Sequence, residues 1–220
     1  RDWQSYNIDD AQIAAGVAGG GTLGPRDVNR LDSYRDLNGD VGGYLKKDVL
    51  WWYASVRQLN SAVQYTNFPV KPHETELKNF TTKFTYQMSQ NNKLVGYYQP
   101  STKVQPNRLD RHLLNAQSAI HNTADASFQQ DYSPLLWKAE YNRVVGPSLF
   151  FEVRTGQFGY EWPDTANGTG VSYEDLGNSF VSGKARNRQL NIQRTQLLGS
   201  MSYFKDAWGG NHNLKVGWEW

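Results

Sequence analysis

Two polar segments of this chain gather the side chains that could hold a solute. Between Pro100 and Ser133 stand Arg108, Asp110, Arg111, His112 and Asp125, and between Asp164 and Arg188 stand Tyr173, Glu174, Asp175 and Arg186. Guanidinium, carboxylate, imidazole and phenol groups at this density suit hydrogen bonding and ring stacking on a polar ligand, work that loops perform when a rigid scaffold holds them. The same composition also suits plain solvated loop surface. A third group, Glu140, Glu152 and Arg154, offers paired carboxylates of the kind acid–base catalysis uses. Lys138 beside them predicts cross-strand ion pairing instead, so no catalytic residue is assigned and the chain is not expected to be an enzyme.

Other chemical signatures fail on their spacing. Gly19 to Gly24 satisfies G-x-G-x-x-G, but no apolar strand precedes it and Pro25 follows where a helix should begin. Asp36, Asn38 and Asp40 start like a calcium loop, yet Val41 stands where glycine is needed and Lys47 where the bidentate glutamate belongs. His73, His112, His121 and His212 lack short metal-ligand spacing, and cysteine is absent, so no metal, cofactor or disulfide is expected. Lys plus Arg number 23 against 21 acidic residues, a balance that gives no reason to expect a nucleic-acid partner.

The elements that must position the two polar segments are strands. In Leu50 to Arg57, Leu50, Trp52, Ala54 and Val56 share one face while Trp51, Tyr53, Ser55 and Arg57 share the other. At the far end Leu214, Val216, Trp218 and Trp220 alternate with Lys215, Gly217 and Glu219. The pattern predicts six more strands, one before Leu50 and five between these two. Leu37, Val41 and Leu45 oppose Asp36, Asn38 and Asp40; Phe84, Tyr86 and Met88 oppose Lys83, Thr85 and Gln87; a fourth strand runs from Leu94 to about Lys103. Trp137 and Tyr141 oppose Lys138 and Glu140, Phe151 and Val153 oppose Glu152 and Arg154, and Met201 and Tyr203 oppose Ser200 and Ser202.

The expected organisation is therefore a single segment: a loop over 1–31, then hairpins over 32–66, 77–103, 133–162 and 189–220. Short turns lie on one side and long polar connectors on the other, the first of them holding Pro69 and Pro72 and the second a short surface helix over Leu109 to Ile120. No run approaches the ~20 apolar residues of a spanning helix. A high aromatic share, 14%, in a chain that is polar on average fits an outer-membrane barrel, where half of each strand faces water. A soluble β-sandwich alternates too, but its strands run about 5–6 residues, whereas these sustain the pattern for roughly 9 to 12. Tryptophans also gather near strand ends, at Trp51, Trp52, Trp137, Trp162, Trp208, Trp218 and Trp220, as an aromatic girdle requires.

The stretch Asp40-Val41-Gly42-Gly43-Tyr44-Leu45-Lys46-Lys47-Asp48-Val49-Leu50-Trp51-Trp52-Tyr53-Ala54-Ser55-Val56-Arg57 resembles the hairpin GGP(I/V)xKDKLWFFxSxR of TonB-dependent outer-membrane receptors, in particular the Oar-like group with a carboxypeptidase-regulatory-like domain. Tyr44 stands in place of the usual proline. Phe84 to Gln99, with Ser89-Gln90-Asn91-Asn92-Lys93-Leu94-Val95-Gly96-Tyr97-Tyr98, resembles the next hairpin of that family. The resemblance covers about residues 31 to 110. It implies an all-β, antiparallel, up-and-down transmembrane β-barrel of about 22 strands, of which this chain supplies about eight, with the plug domain absent from it.

It further implies location in the outer membrane of a Gram-negative-type bacterium, and partners in the outer-membrane lipid, the remaining barrel and plug, and the TonB system. The ligand would be a small solute or oligomer of unspecified class, imported without chemistry. Leu50, Trp52, Val56, Phe84, Tyr86, Trp137, Tyr141, Phe151, Val216, Trp218 and Trp220 would face lipid or the girdle. The start at Arg1, without Met or an apolar leader, is read as an excerpt. Two alternatives are a self-contained eight-stranded barrel ending on the terminal aromatic Trp220, and a secreted soluble sandwich that stacks sugars on Trp and Tyr.

Overall fold

The computed structural model describes residues 9–14, 30–65, 68–109, 121–175, 177, 180–206 and 209–220. A helical turn, α1 (Asp10–Ala14), is followed by β1 (Arg30–Lys46), β2 (Leu50–Tyr65), β3 (Phe68–Ser89), β4 (Asn92–Leu109), β5 (His121–Asn122), β6 (Ser127–Val145), β7 (Leu149–Ala166), β8 (Ser172–Asp175), β9 (Phe180–Gly183), β10 (Arg188–Lys205) and β11 (His212–Glu219). Eight strands make one antiparallel up-and-down sheet in the order β1-β2-β3-β4-β6-β7-β10-β11, and β5, β9 and β8 make a small second sheet. The fold is all-β. Among the described residues the large sheet is open, with β1 and β11 as its edges.

Register places the predicted faces on common rows. Gly43, Trp52, Phe84, Gly96, Ala139, Thr155 and Leu197 stand opposite one another from β1 to β10, and Leu197 bonds Trp220 through both backbone groups. Since side chains alternate with period two, the neighbouring rows on this face carry Leu50, Tyr86, Leu94, Tyr141, Val153 and Trp218, then Phe151, Met201 and Val216, and in the other direction Val56, Phe80, Pro100 and Leu135. The opposite face is polar: Arg57 pairs with Asp36 at 2.6 Å, and Arg154 lies 2.8 Å from Glu152 and 3.3 Å from Glu140. Arg154, not Lys138, is thus the cation for Glu140 and Glu152. The Lys138 ammonium instead lies 5.0 Å from the Tyr97 ring centroid.

The strands outrun their apolar pattern. Those of the large sheet span 16 to 22 residues except for β11, because backbone pairing continues where both faces are polar and periodicity no longer marks it. The polar connector expected around Pro69 and Pro72 is therefore corrected to strand: β3 begins at Phe68, and Tyr65 already pairs with it. The expected loop start is corrected as well, since β1 begins at Arg30 and α1 lies within 1–31. There the Asp9 carboxylate accepts from Gln12 N at 2.8 Å while Asp9 N donates to Gln12 Oε1 at 3.0 Å, a reciprocal cap. The helix expected over Leu109 to Ile120 falls outside the described residues from 110 onward.

Tight turns occupy Lys47–Val49, where Asp48 takes φ 59°, a conformation that aspartate tolerates better than most residues, and residues 90–91 and 146–148. On the other side, the β7–β10 connector holds β8 and β9, and β5 lies in the β4–β6 connector. Gly183 closes this small sheet at φ 79°, where any Cβ would lie 2.1 Å from the Val171 carbonyl oxygen.

Burial follows this division. Among the described residues the buried apolar side chains are Ala62, Ala126 and Phe128 only, and the largest fully buried side chains are Phe128, Gln130 and Ser127. All but Ala62 of these stand together at the start of β6, at the long-connector end. The extensive contacts of each long strand are with its hydrogen-bonded neighbours, so among the described residues no second layer covers the apolar face.

Candidate functional site

The polar face at the long-connector end carries a cluster built from four segments. Continuing the period of β7 past Phe158 puts Tyr160, Trp162 and Asp164 on that face, and Asp164 stands opposite Gln130 of β6 and Arg188 of β10. The Asp164 carboxylate is wholly buried. Its Oδ1 accepts from Gln130 Nε2 at 2.9 Å. Its Oδ2 lies 2.9 Å from Arg188 Nη2 and 3.3 Å from Arg186 Nε, as ion pairs without hydrogen-bond geometry. Gln130 Oε1 in turn accepts from Arg108, which also donates to Gln105 Oε1 at 2.9 Å.

Arginine in this cluster lies against rings. The guanidinium carbons of Arg188 and Arg108 are 5.0 and 5.5 Å from the Trp162 centroid, and that of Arg186 is 5.2 Å from the Phe128 centroid, all within cation–π range. Below them Tyr132 packs on Tyr160 and Trp162 at 5.1 and 5.5 Å, and Phe158 on Tyr160 at 5.9 Å. Beside the cluster, Gln105 Nε2 donates to Thr75 Oγ1 at 2.8 Å and lies 3.2 Å from His73 Nε2. Burial, ahead of the charges of Arg108 and Lys103, holds the His73 imidazole below its ordinary pKa despite a 3.0 Å contact with the Asn107 carbonyl. Burial and then Arg108 likewise lower the Lys103 ammonium.

The connector side seals the cluster. Asn167 Nδ2 donates at 2.8 Å to both Pro106 O and Ser127 Oγ. Asp125 accepts from Gly183 N at 3.1 Å and from Thr123 Oγ1, and the Thr123 bond is the chief reason its carboxyl is held below the usual carboxylate range.

Of the residues predicted to meet solute, Arg108 and Arg186 stand in this cluster. Tyr173, Glu174 and Asp175 lie on β8, where they pair with Ser182, Val181 and Phe180, and Tyr173 is exposed. Asp110, Arg111 and His112 fall outside the described residues. Sequence reading missed Asp164, Gln130, Arg188 and the inward role of Trp162. For Trp162 and Asp164 the signal was parity: Arg154, Phe158, Tyr160, Trp162 and Asp164 are all even-numbered residues of one strand, which runs on to Ala166 past its expected end at 162.

The predicted lipid-facing residues share the apolar face, as the register requires. Val56, Phe84, Tyr86, Val216, Trp218 and Trp220 are exposed there, and Leu50, Trp52, Trp137, Tyr141 and Phe151 are half-buried. Trp137 donates from Nε1 to Gln157 Oε1 at 3.2 Å, a polar anchor at the border of the band. Among the described residues no group of His, Asp and Glu is placed to hold a metal ion. No protein-family model matches the chain, and no curated protein is significantly similar to it.

Proposed function

We propose that this chain is a wall segment of a TonB-dependent outer-membrane receptor, which captures a scarce solute at its long-connector end and passes it inward without covalent chemistry. The observation that carries this reading is the uncovered apolar face. A single sheet of eight strands presents Leu, Val, Phe, Tyr and Trp in continuous rows with no protein layer over them among the described residues, an arrangement that water penalises and that lipid rewards.

From Phe80 to Met88 the band covers about nine residues, about 27 Å along a strand at ~3.3 Å each and about 21 Å after the ~40° tilt usual in such barrels, near their ~25 Å apolar belt. A sandwich would need a second sheet on this face. The open edges β1 and β11 favour a larger ring over an eight-stranded one, since unpaired backbone groups are costly in lipid. The resemblance of the β1–β2 and β3–β4 hairpins to the receptor family supplies the transport role.

Extraction tests the reading. The chain expressed with an outer-membrane targeting leader should stay in the membrane pellet through carbonate and high-salt washes and leave it only with detergent. A folded chain released into aqueous buffer would defeat it.

A further inference from the structure

Two buried donors in the cluster have no acceptor. Trp162 Nε1 and Arg188 Nε are both shielded from solvent and make no hydrogen bond among the described residues, although the Arg188 guanidinium lies over the Trp162 ring. Buried N–H groups are rarely left so, and each one without a partner asks for an acceptor that the protein itself does not supply. We propose that the Trp162–Arg188 corner, with Arg108 and Arg186 beside it, binds an oxyanion group, carboxylate or phosphate, carried by the captured solute.

Three further observations support this. The guanidiniums are pre-organised, because Asp164 and Gln130 hold their inner edges at zero and near-zero exposure while Trp162 and Phe128 fix their planes; a held fork loses little freedom when it grips an anion. Arg186 and Arg188 nevertheless remain 34% and 35% exposed, so part of each guanidinium side chain is within reach of solvent. Lastly, Arg108 adds a positive field to burial at both Lys103 and His73, a field that favours incoming negative charge. Asp164 does not forbid it, since its oxygens are directed at Gln130, Arg186 and Arg188.

This site deepens the proposed function and relies on it only for the direction from which solute arrives. The test uses the 220-residue chain folded in detergent micelles with nitrogen-15-labelled indoles, titrated separately with inorganic phosphate, sulfate and acetate at constant ionic strength in chloride. The Trp162 indole resonance, assigned by its loss in Trp162→Phe, should shift downfield and saturate. Arg188→Lys keeps the charge but loses the Nε–H fork, and should weaken binding roughly tenfold. Stronger response to phosphate marks a phosphorylated solute, and stronger response to acetate a carboxylated one. A folded sheet with no saturable shift, or equal affinity in Arg188→Lys, overturns the proposal. The membrane reading fails separately, if the chain forms the same sheet in plain buffer; the titration can then be run there.

Discussion

The middle of the sheet and its long-connector end solve opposite problems with the same ladder. In the middle, apolar side chains stand exposed on one face and small ion pairs such as Arg57–Asp36 dot the other. At the connector end the inverse holds: the polar Asp164 and Gln130 are buried among Arg108, Arg186 and Arg188. The difference teaches where each region draws its stability. On the proposed membrane placement, pairing and an external apolar solvent serve the first, whereas the second is a polar core that must satisfy its own charges, which makes it the less forgiving of the two.

Removal of the central anion should have the largest effect. Asp164→Ala leaves Arg186, Arg188 and Gln130 without the carboxylate they share and should cost about 2–3 kcal/mol, since it removes the counter-charge of two part-exposed guanidiniums and leaves the buried Gln130 amide without its acceptor; loss of protease resistance confined to the connector end would show it. Next comes Ala139→Arg, which puts a guanidinium in the middle of the apolar rows and should cost about 2–3 kcal/mol in urea-titrated folding into lipid vesicles. Lys138→Ala, one residue away on the polar face, should change little. Equal costs for the two would erase the distinction between the faces.

Gly199→Ala is a finer probe. A Cβ there would meet the Trp218 indole at 2.4 Å, so the ring must swing away, at about 1 kcal/mol in lost packing, with a shift in tryptophan emission as the direct readout. His73 sharpens the comparison through pH. Its folded-state pKa lies below the ordinary histidine value, so the unfolded chain binds the proton more readily, and stability present above about pH 6.5 is lost as pH falls below it. His73→Gln should flatten that slope in acid titrations of the unfolding midpoint. Arg57→Gln, at an exposed pair, should leave the midpoint unmoved.

Much of the sheet was legible because lipid-like patterning is a local, period-two signal. The rows through Trp52, Phe84, Trp137 and Trp218, all eight strands of the large sheet and three of the tight turns follow from it. Strand ends were not legible, since Arg30 to Arg35, Lys71 to Glu76 and Ser127 to Ser133 are largely polar on both faces and carry no sustained alternation, and Pro69 and Pro72 read as breakers although each costs only one ladder bond. The cluster was half visible. Arg108 and Arg186 stood out by the density of polar groups around them, but their meeting around Gln130 and Asp164 depends on register across four segments, which one-dimensional spacing does not encode.

The two-residue link that replaces an expected loop between β2 and β3 has a consequence for how a solute would be met. On the proposed placement, β3 climbs twelve residues from Phe80 to Phe68, about 40 Å along the strand at ~3.3 Å per residue, so the wall stands well clear of the headgroups as a rigid collar. Selection would then occur in water above the bilayer, where salt screens charge within about 10 Å, and uptake should weaken as ionic strength rises even though translocation itself does not.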